Sequence, residues 1–301
     1  MYAVYTHDAS TTQANLVNDI VLILTGTTNT ASLSADCVTA SSSITTTYDV
    51  AGWTLHDASA SATSQVVKCL QKDAVTYKYV EISATSTTNF IITVYESWNA
   101  GTHAGTNGVS SINFAWSSST QQPFYIYATS YQILISLQSS PSSGTFRSPC
   151  MALEINNTNG SFIAGYPTTF TFHTADDLSQ GRGPRIKHPN LAGDLTTTST
   201  IFMTSTSTDA SPNFQKGRLY RNASEATCMG LVNLSVVAGY SSTNYQYGAF
   251  GTILGKMRVG CGILSTAITL DTVVIGSTTY VAFYIKTGNA AAASSIWVPQ
   301  G

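Results

Sequence analysis

Near the start of the chain, apolar residues recur at spacings of three and four: Leu16, Val17, Ile20, Val21, Ile23 and Leu24. That period lays a single stripe along a helix face. Asp8, Ser10 and the threonines after it offer N-caps, and Thr25-Gly26 supplies a stop. β-branched residues weaken the helix's own propensity, so its stripe, centred on Leu16, Ile20 and Ile23, must be held by the core or by a neighbouring subunit.

From about residue 44 onward the pattern becomes one of short strands. Tyr77 to Ile82 and Phe90 to Trp98 are rich in β-branched and aromatic residues, with Ser, Thr and Asn clusters between them. Phe124–Thr129 and Tyr131–Leu137 read as a hairpin turning at Thr129-Ser130, and Met151–Ile155 as a further strand. Asn107-Gly108 and Asn159-Gly160 are turn signals, because both residue types tolerate positive φ. Residues 176–212 read as a Ser/Thr/Gly-rich connection, in which Thr196 to Pro212 is either an exposed strand or a surface loop. Strands resume at Met229–Val237, Asp271–Ile285 reads as a final hairpin, and Asn289–Ser295 as a mobile tail unless Ile296-Trp297 docks on a partner. The expected fold is mostly β: antiparallel sandwich or barrel domains with one short N-terminal helix, a first domain over 1–175 and a second over 213–301.

Composition narrows the role. Hydrophobic residues make up 43% of the 301, enough for a real core, yet charged residues reach only 9%, against about 25% in a typical soluble protein. Hydroxyl and amide surfaces are less costly to desolvate than charged ones, which favours repeated burial against partners. A formal net charge of −2 argues against nucleic-acid binding. One basic cluster, Arg182, Arg185 and Lys187, sits among Gly and Pro and is expected to meet acidic groups across an interface or to lie in solvent. The opening residues lack the basic and apolar regions of a secretory leader. No stretch approaches the ~20 apolar residues of a membrane helix, so synthesis in a cytoplasm without membrane association is expected.

Candidate chemistry is sparse. Cys37, Cys69, Cys150, Cys228 and Cys261 show no metal-ligand spacing and are expected as free buried thiols, with later disulfides as the alternative. No G-x-S-x-G elbow, phosphate loop or H-E-x-x-H motif occurs, and no cofactor is implied. Glu81, Glu96 and Glu154 lie on predicted strands; a glycosidase would need two of them facing each other, whereas single acids on strands more often pair with a base or a backbone N–H. His56 and His103 read as turn or core histidines rather than metal ligands. Tyr240, Tyr245 and Tyr247 form a patch suited to stacking on a sugar or to packing in an interface.

Five stretches together resemble structural proteins encoded among the tail genes of tailed bacteriophages. They are the Thr12–Leu24 helix with Leu33-Ser-Ala-Asp-Cys37 after it, Gly52-Trp53-Thr-Leu-His56-Asp57, Tyr77-Lys-Tyr79-Val80, Tyr95–Asn107, and Pro149–Ile155 with Gly165-Tyr-Pro167 following. The most specific is Glu96-Ser-Trp98-Asn99 with its Thr102-His103-Ala-Gly105-Thr106-Asn107 continuation; the match covers roughly residues 1–170. The resemblance implies a non-enzymatic virion protein, tail- or baseplate-associated, that assembles with copies of itself and with other virion proteins. It supplies no catalytic residues. Trp98-Asn99 is expected to end a strand, with the ring on the core and a positive-φ turn after it. The alternatives are a tip, fibre or adhesin protein that binds host surface glycan, and a polysaccharide-degrading enzyme. Contacts are expected at the early helix, the basic loop, the tyrosine patch and Trp297.

Overall fold

A computed structural model of the chain describes residues 1–26, 32–40, 52–71, 74–106, 108–110, 114–138, 150–157, 169–173, 187–189, 195–197, 201–202, 230–233, 235–239, 246–253, 255–256, 258–261, 270, 272–285 and 294–300. The protein is mostly β, with antiparallel sheets and, among the described residues, one short helix. It divides into two compact units, Met1–Glu154 with Thr169–Thr171, and Ile155–Thr168 with Phe172–Gly301. The division falls inside one strand, ahead of the connection expected from residue 176.

The first unit opens with β1 (Tyr2–His7), α1 (Gln13–Leu24) and β2 (Cys37–Ala40). Next come β3 (Thr54–Ser61), β4 (Ser64–Leu70), β5 (Tyr77–Ser86) and β6 (Asn89–Tyr95). The short strands β7 (Ser97–Asn99), β8 (Ala104–Thr106), β9 (Val109–Ser110) and β10 (Phe114–Ala115) follow, then β11 (Gln122–Thr129), β12 (Gln132–Leu137) and β13 (Cys150–Asn157). One sheet runs β2-β1-β11-β12-β13 and the other β6-β5-β4-β3, with β9 and β10 also on β6. β1, which the sequence pattern leaves unassigned, lies between β2 and β11 and pairs with β11 over its whole length, Tyr2↔Tyr127 to His7↔Gln122.

α1 begins where Thr12 accepts a hydrogen bond from the Asn15 amide at 3.1 Å, and ends at Gly26, whose φ is +89°. Leu16, Ile20 and Ile23 are fully buried in the cluster that also holds Val67, Val80, Ile82, Phe90, Phe124 and Ile135. Of the two placements open to the apolar stripe, the core is therefore the one observed, and these three residues offer a neighbouring subunit no surface. Each such burial stabilises the fold by about 1.5–3 kcal/mol.

Directed contacts tie the two sheets at each end. At one end Trp53 Nε1 donates to the Thr129 carbonyl at 2.6 Å, and Lys78 Nζ donates to Glu154 Oε2 at 2.6 Å and to the Leu70 carbonyl at 2.6 Å. Lys78 and Glu154 are both 1% exposed, and the ammonium lies 5.7 Å from the Trp53 ring centroid and 6.0 Å from that of Tyr131. At the other end Phe90 meets Phe124 edge-on, at 6.0 Å between centroids. The β11–β12 turn is Ser130-Tyr131, since Thr129 pairs with Gln132, one residue later than the sequence pattern suggests.

A buried polar knot fastens α1. Asp19, fully buried, accepts from the Tyr5 hydroxyl at 2.9 Å, from the Ser34 amide at 2.8 Å and from the Ser34 hydroxyl. The Ser34 hydroxyl also contacts Asp36, which accepts from Asn15 Nδ2 at 3.0 Å. Burial first, then the Asp19 charge, pushes the Tyr5 hydroxyl well above its ordinary range. The Cys37 thiol rises to about 11, by burial first and then the Asp19 and Asp36 charges, which favours its protonated form. Cys37, Cys69 and Cys150 are free thiols, the last two buried.

In the second unit a five-stranded antiparallel sheet runs in the order Gly230–Asn233, Arg258–Cys261, Ser294–Pro299, Thr278–Ile285, Thr272–Ile275. The final hairpin forms as expected, turning at Gly276-Ser277 with Gly276 at φ +62°. Ser294–Pro299 is an interior strand of this sheet and Trp297 is 2% exposed. The expectation of a tail that presents Trp297 to a partner is thus corrected: the indole packs in its own unit's core beside Tyr280 and Ala282. The run Met229–Val237, read as one strand, divides into Gly230–Asn233 and Ser235–Gly239, which pair with different partners.

Candidate functional site

The Glu96–Thr106 segment lies over the outer face of the β3–β6 sheet. Alternation along β5 sends Lys78, Val80, Ile82 and Ala84 inward, so Tyr79, Glu81 and Ser83 face out. Register sets Asp57, Val66, Glu81 and Thr93 in one transverse row across β3, β4, β5 and β6. Asp57 joins that row because β3 carries a bulge: Leu55 pairs with Val67 but Asp57 pairs with Val66, and the extra residue shifts the alternation by one.

After β6 the chain bends at Glu96 and returns as a hairpin, with Ser97↔Thr106, Trp98↔Gly105 and Asn99↔Ala104 in register. Asn99 Oδ1 closes the turn by accepting from the Gly101 amide at 2.9 Å and the Thr102 amide at 3.3 Å. His103 completes it at φ +51°, a left-handed conformation uncommon outside glycine and asparagine. The Trp98 indole is half-buried on the outer face, where its Nε1 donates to Asp57 Oδ2 at 2.8 Å. The ring was expected on the core, but the indole N–H finds its acceptor on the opposite face; the turn does take a positive φ, at His103.

His103 Nδ1 reaches the same Asp57 oxygen at 2.8 Å. A carboxylate only accepts, so Nδ1 carries a proton; the ring is 39% exposed, while the Asp57 side chain is 2% exposed. Glu81 is the second anchor, accepting from the Ser64 hydroxyl at 2.5 Å and from the Tyr95 hydroxyl at 2.9 Å. Burial, then the Glu81 charge, pushes the Tyr95 hydroxyl above its ordinary range. The Tyr95 ring meets the Trp98 ring edge-on at 5.0 Å. A Cβ on Gly105 would lie 2.1 Å from the Tyr95 ring and one on Gly108 2.5 Å from it, so both positions require glycine for close approach.

Two carboxylates thus share one face two strands apart, about 10 Å between Cα atoms at ordinary strand spacing. Each is already engaged by donors from the fold itself. Glu154 lies on the inward side with Lys78, and Glu96 stands at the bend, so the three glutamates singled out in the sequence do not converge. Among the described residues no cluster of three or more His, Cys, Asp or Glu is placed to hold a metal ion.

Lys187 lies on the strand Lys187–Pro189, paired with Leu195–Thr197, and Tyr247 on the strand Gln246–Ile253. Arg182, Arg185, Tyr240 and Tyr245 lie outside the described residues. The sequence reading passed over Asp57 as an anchor and Lys78 as a buried cation. A bulge and a pairing 76 residues distant placed them. No protein-family model matches the chain, and no curated protein matches it.

Proposed function

We propose that this protein is a non-enzymatic structural subunit of a tailed-bacteriophage virion, tail- or baseplate-associated, which works by assembling with copies of itself and with neighbouring virion proteins. The observation that carries the reading is where the resembling stretches lie. Leu33–Cys37 supplies the Ser34 and Asp36 of the helix knot. Trp53 and Asp57, Lys78, Trp98 and His103, and Glu154 supply the ties within and between the two sheets. Residues of an active site would leave reactive groups unspent toward a cleft; these are spent on holding a frame. Low charge suits a frame whose surfaces are covered repeatedly.

The test is a reconstruction of the intact particle at side-chain resolution, paired with the solution mass of the isolated chain. The expected result is density for this fold in the tail or baseplate, with a repeated interface above about 1,000 Å². A protein that stays monomeric at high concentration and is missing from purified particles overturns the reading. Binding to host-surface polysaccharide, or its cleavage, by such a protein would favour the glycan or enzyme alternatives.

A further inference from the structure

His7, at the end of β1, is fully buried. Its Nδ1 lies 2.6 Å from the Asp8 carbonyl, an acceptor, so Nδ1 carries the proton and Nε2 is bare. Nε2 is buried without a hydrogen-bond partner. The ring is wedged edge-on against Trp116 at 5.5 Å and tilted on Phe124 at 5.8 Å. Its cross-strand neighbour on β11 is Gln122, whose Oε1 accepts from the Ser117 amide at 2.8 Å. A second proton would place a cation between aromatic walls, with the Gln122 carbonyl oxygen, already shared with the Ser117 amide, as the side-chain acceptor beside it.

The location gives that cost a consequence. His7 pairs with Cys37 at the register irregularity between Thr6 and His7, where β2 joins β1. β2 is the terminal strand of its sheet among the described residues, paired there with β1 alone. We propose that His7 is an acid-sensitive catch: protonation at Nε2 loosens the β1–β2 edge of the first unit while the rest of the sheet stays paired.

Asp8 on its own segment and Asp36 beside β2 favour the cation, as do the Asp8 carbonyl and Gln122; the Cys37 thiol stays neutral. Desolvation outweighs them and holds His7 below its ordinary value. The folded state therefore binds the proton less readily than the unfolded state. The stabilisation is complete above the unfolded value of about 6.5 and is lost as pH falls through the folded one.

Two measurements on the full chain test the catch. Nitrogen-15 spectra of labelled histidine should show His7 with a bare Nε2 and a titration midpoint below about 6.5; a midpoint at or above that value overturns the proposal. Amide exchange, corrected for intrinsic rates, should show β2 losing up to about ten-fold of its protection between pH 7.5 and 5.5 while β12 keeps its own. His7→Phe should abolish the pH-dependent loss. Equal losses in β2 and β12, or the same β2 loss in His7→Phe, overturn it. If His7→Phe does not fold, the histidine titration and the β2-to-β12 contrast decide on the unaltered protein.

Discussion

The two faces of the β3–β6 sheet are built on different physics. Inward, Val67, Val80, Ile82, Phe90 and Ile92 pack with no exposed surface, and the one charge there, Lys78, is closed off by Glu154. Outward, the row Asp57–Val66–Glu81–Thr93 is covered by a hairpin whose hold consists of directed hydrogen bonds and of glycines pressed on a ring. Area and volume hold the inner face, so many apolar sequences would serve it. The outer face depends on individual donors, acceptors and missing Cβ atoms.

The largest effect should come from leaving one inner charge alone. Lys78→Ala takes the ammonium away from Glu154 in the core and should cost about 3–5 kcal/mol in urea unfolding, whereas Lys78→Met with Glu154→Leu should recover most of that. If the single and the double replacement cost the same, the pair is not the inner face's electrostatic weak point.

On the outer face Asp57→Asn weakens the acceptor shared by Trp98 and His103. It should cost about 1.5–3 kcal/mol, with a red shift in tryptophan emission as the indole gains solvent. Gly105→Ala, which would set a Cβ 2.1 Å from the Tyr95 ring, should cost about 1–3 kcal/mol by the same unfolding assay. An unchanged midpoint would mean the hairpin tolerates lifting from the sheet. His103→Ala removes only the half-exposed partner of Asp57 and should cost no more than about 1 kcal/mol. Smallest of all, Val75→Ser at a side chain 80% exposed should fall within about 0.5 kcal/mol of the parent.

Some of this was legible in the residues themselves. The helix at Gln13–Leu24, strands starting at Tyr77 and beside Phe90, and the hairpin within Asp271–Ile285 follow from period and from turn chemistry, which act within a few residues. The split of Met229–Val237 did not follow, because local pattern carries no information about which sheet a strand joins. β1 was missed because Tyr2–His7 is buried at nearly every position and so lacks the alternation that marks a half-buried strand.

The sequence by itself determined the class of the fold, the helix and the strands that carry a clear period, the low charge and the sparseness of chemical motifs. All of these are local or summed properties of the chain. Tertiary structure decided that the α1 stripe and Trp297 face their own cores, that Lys78 meets Glu154, and that Trp98 and His103 share Asp57. Those outcomes turn on strand register, on one bulged residue in β3 and on pairings far apart in the chain. A single-residue shift there moves a side chain to the opposite face without altering the local pattern.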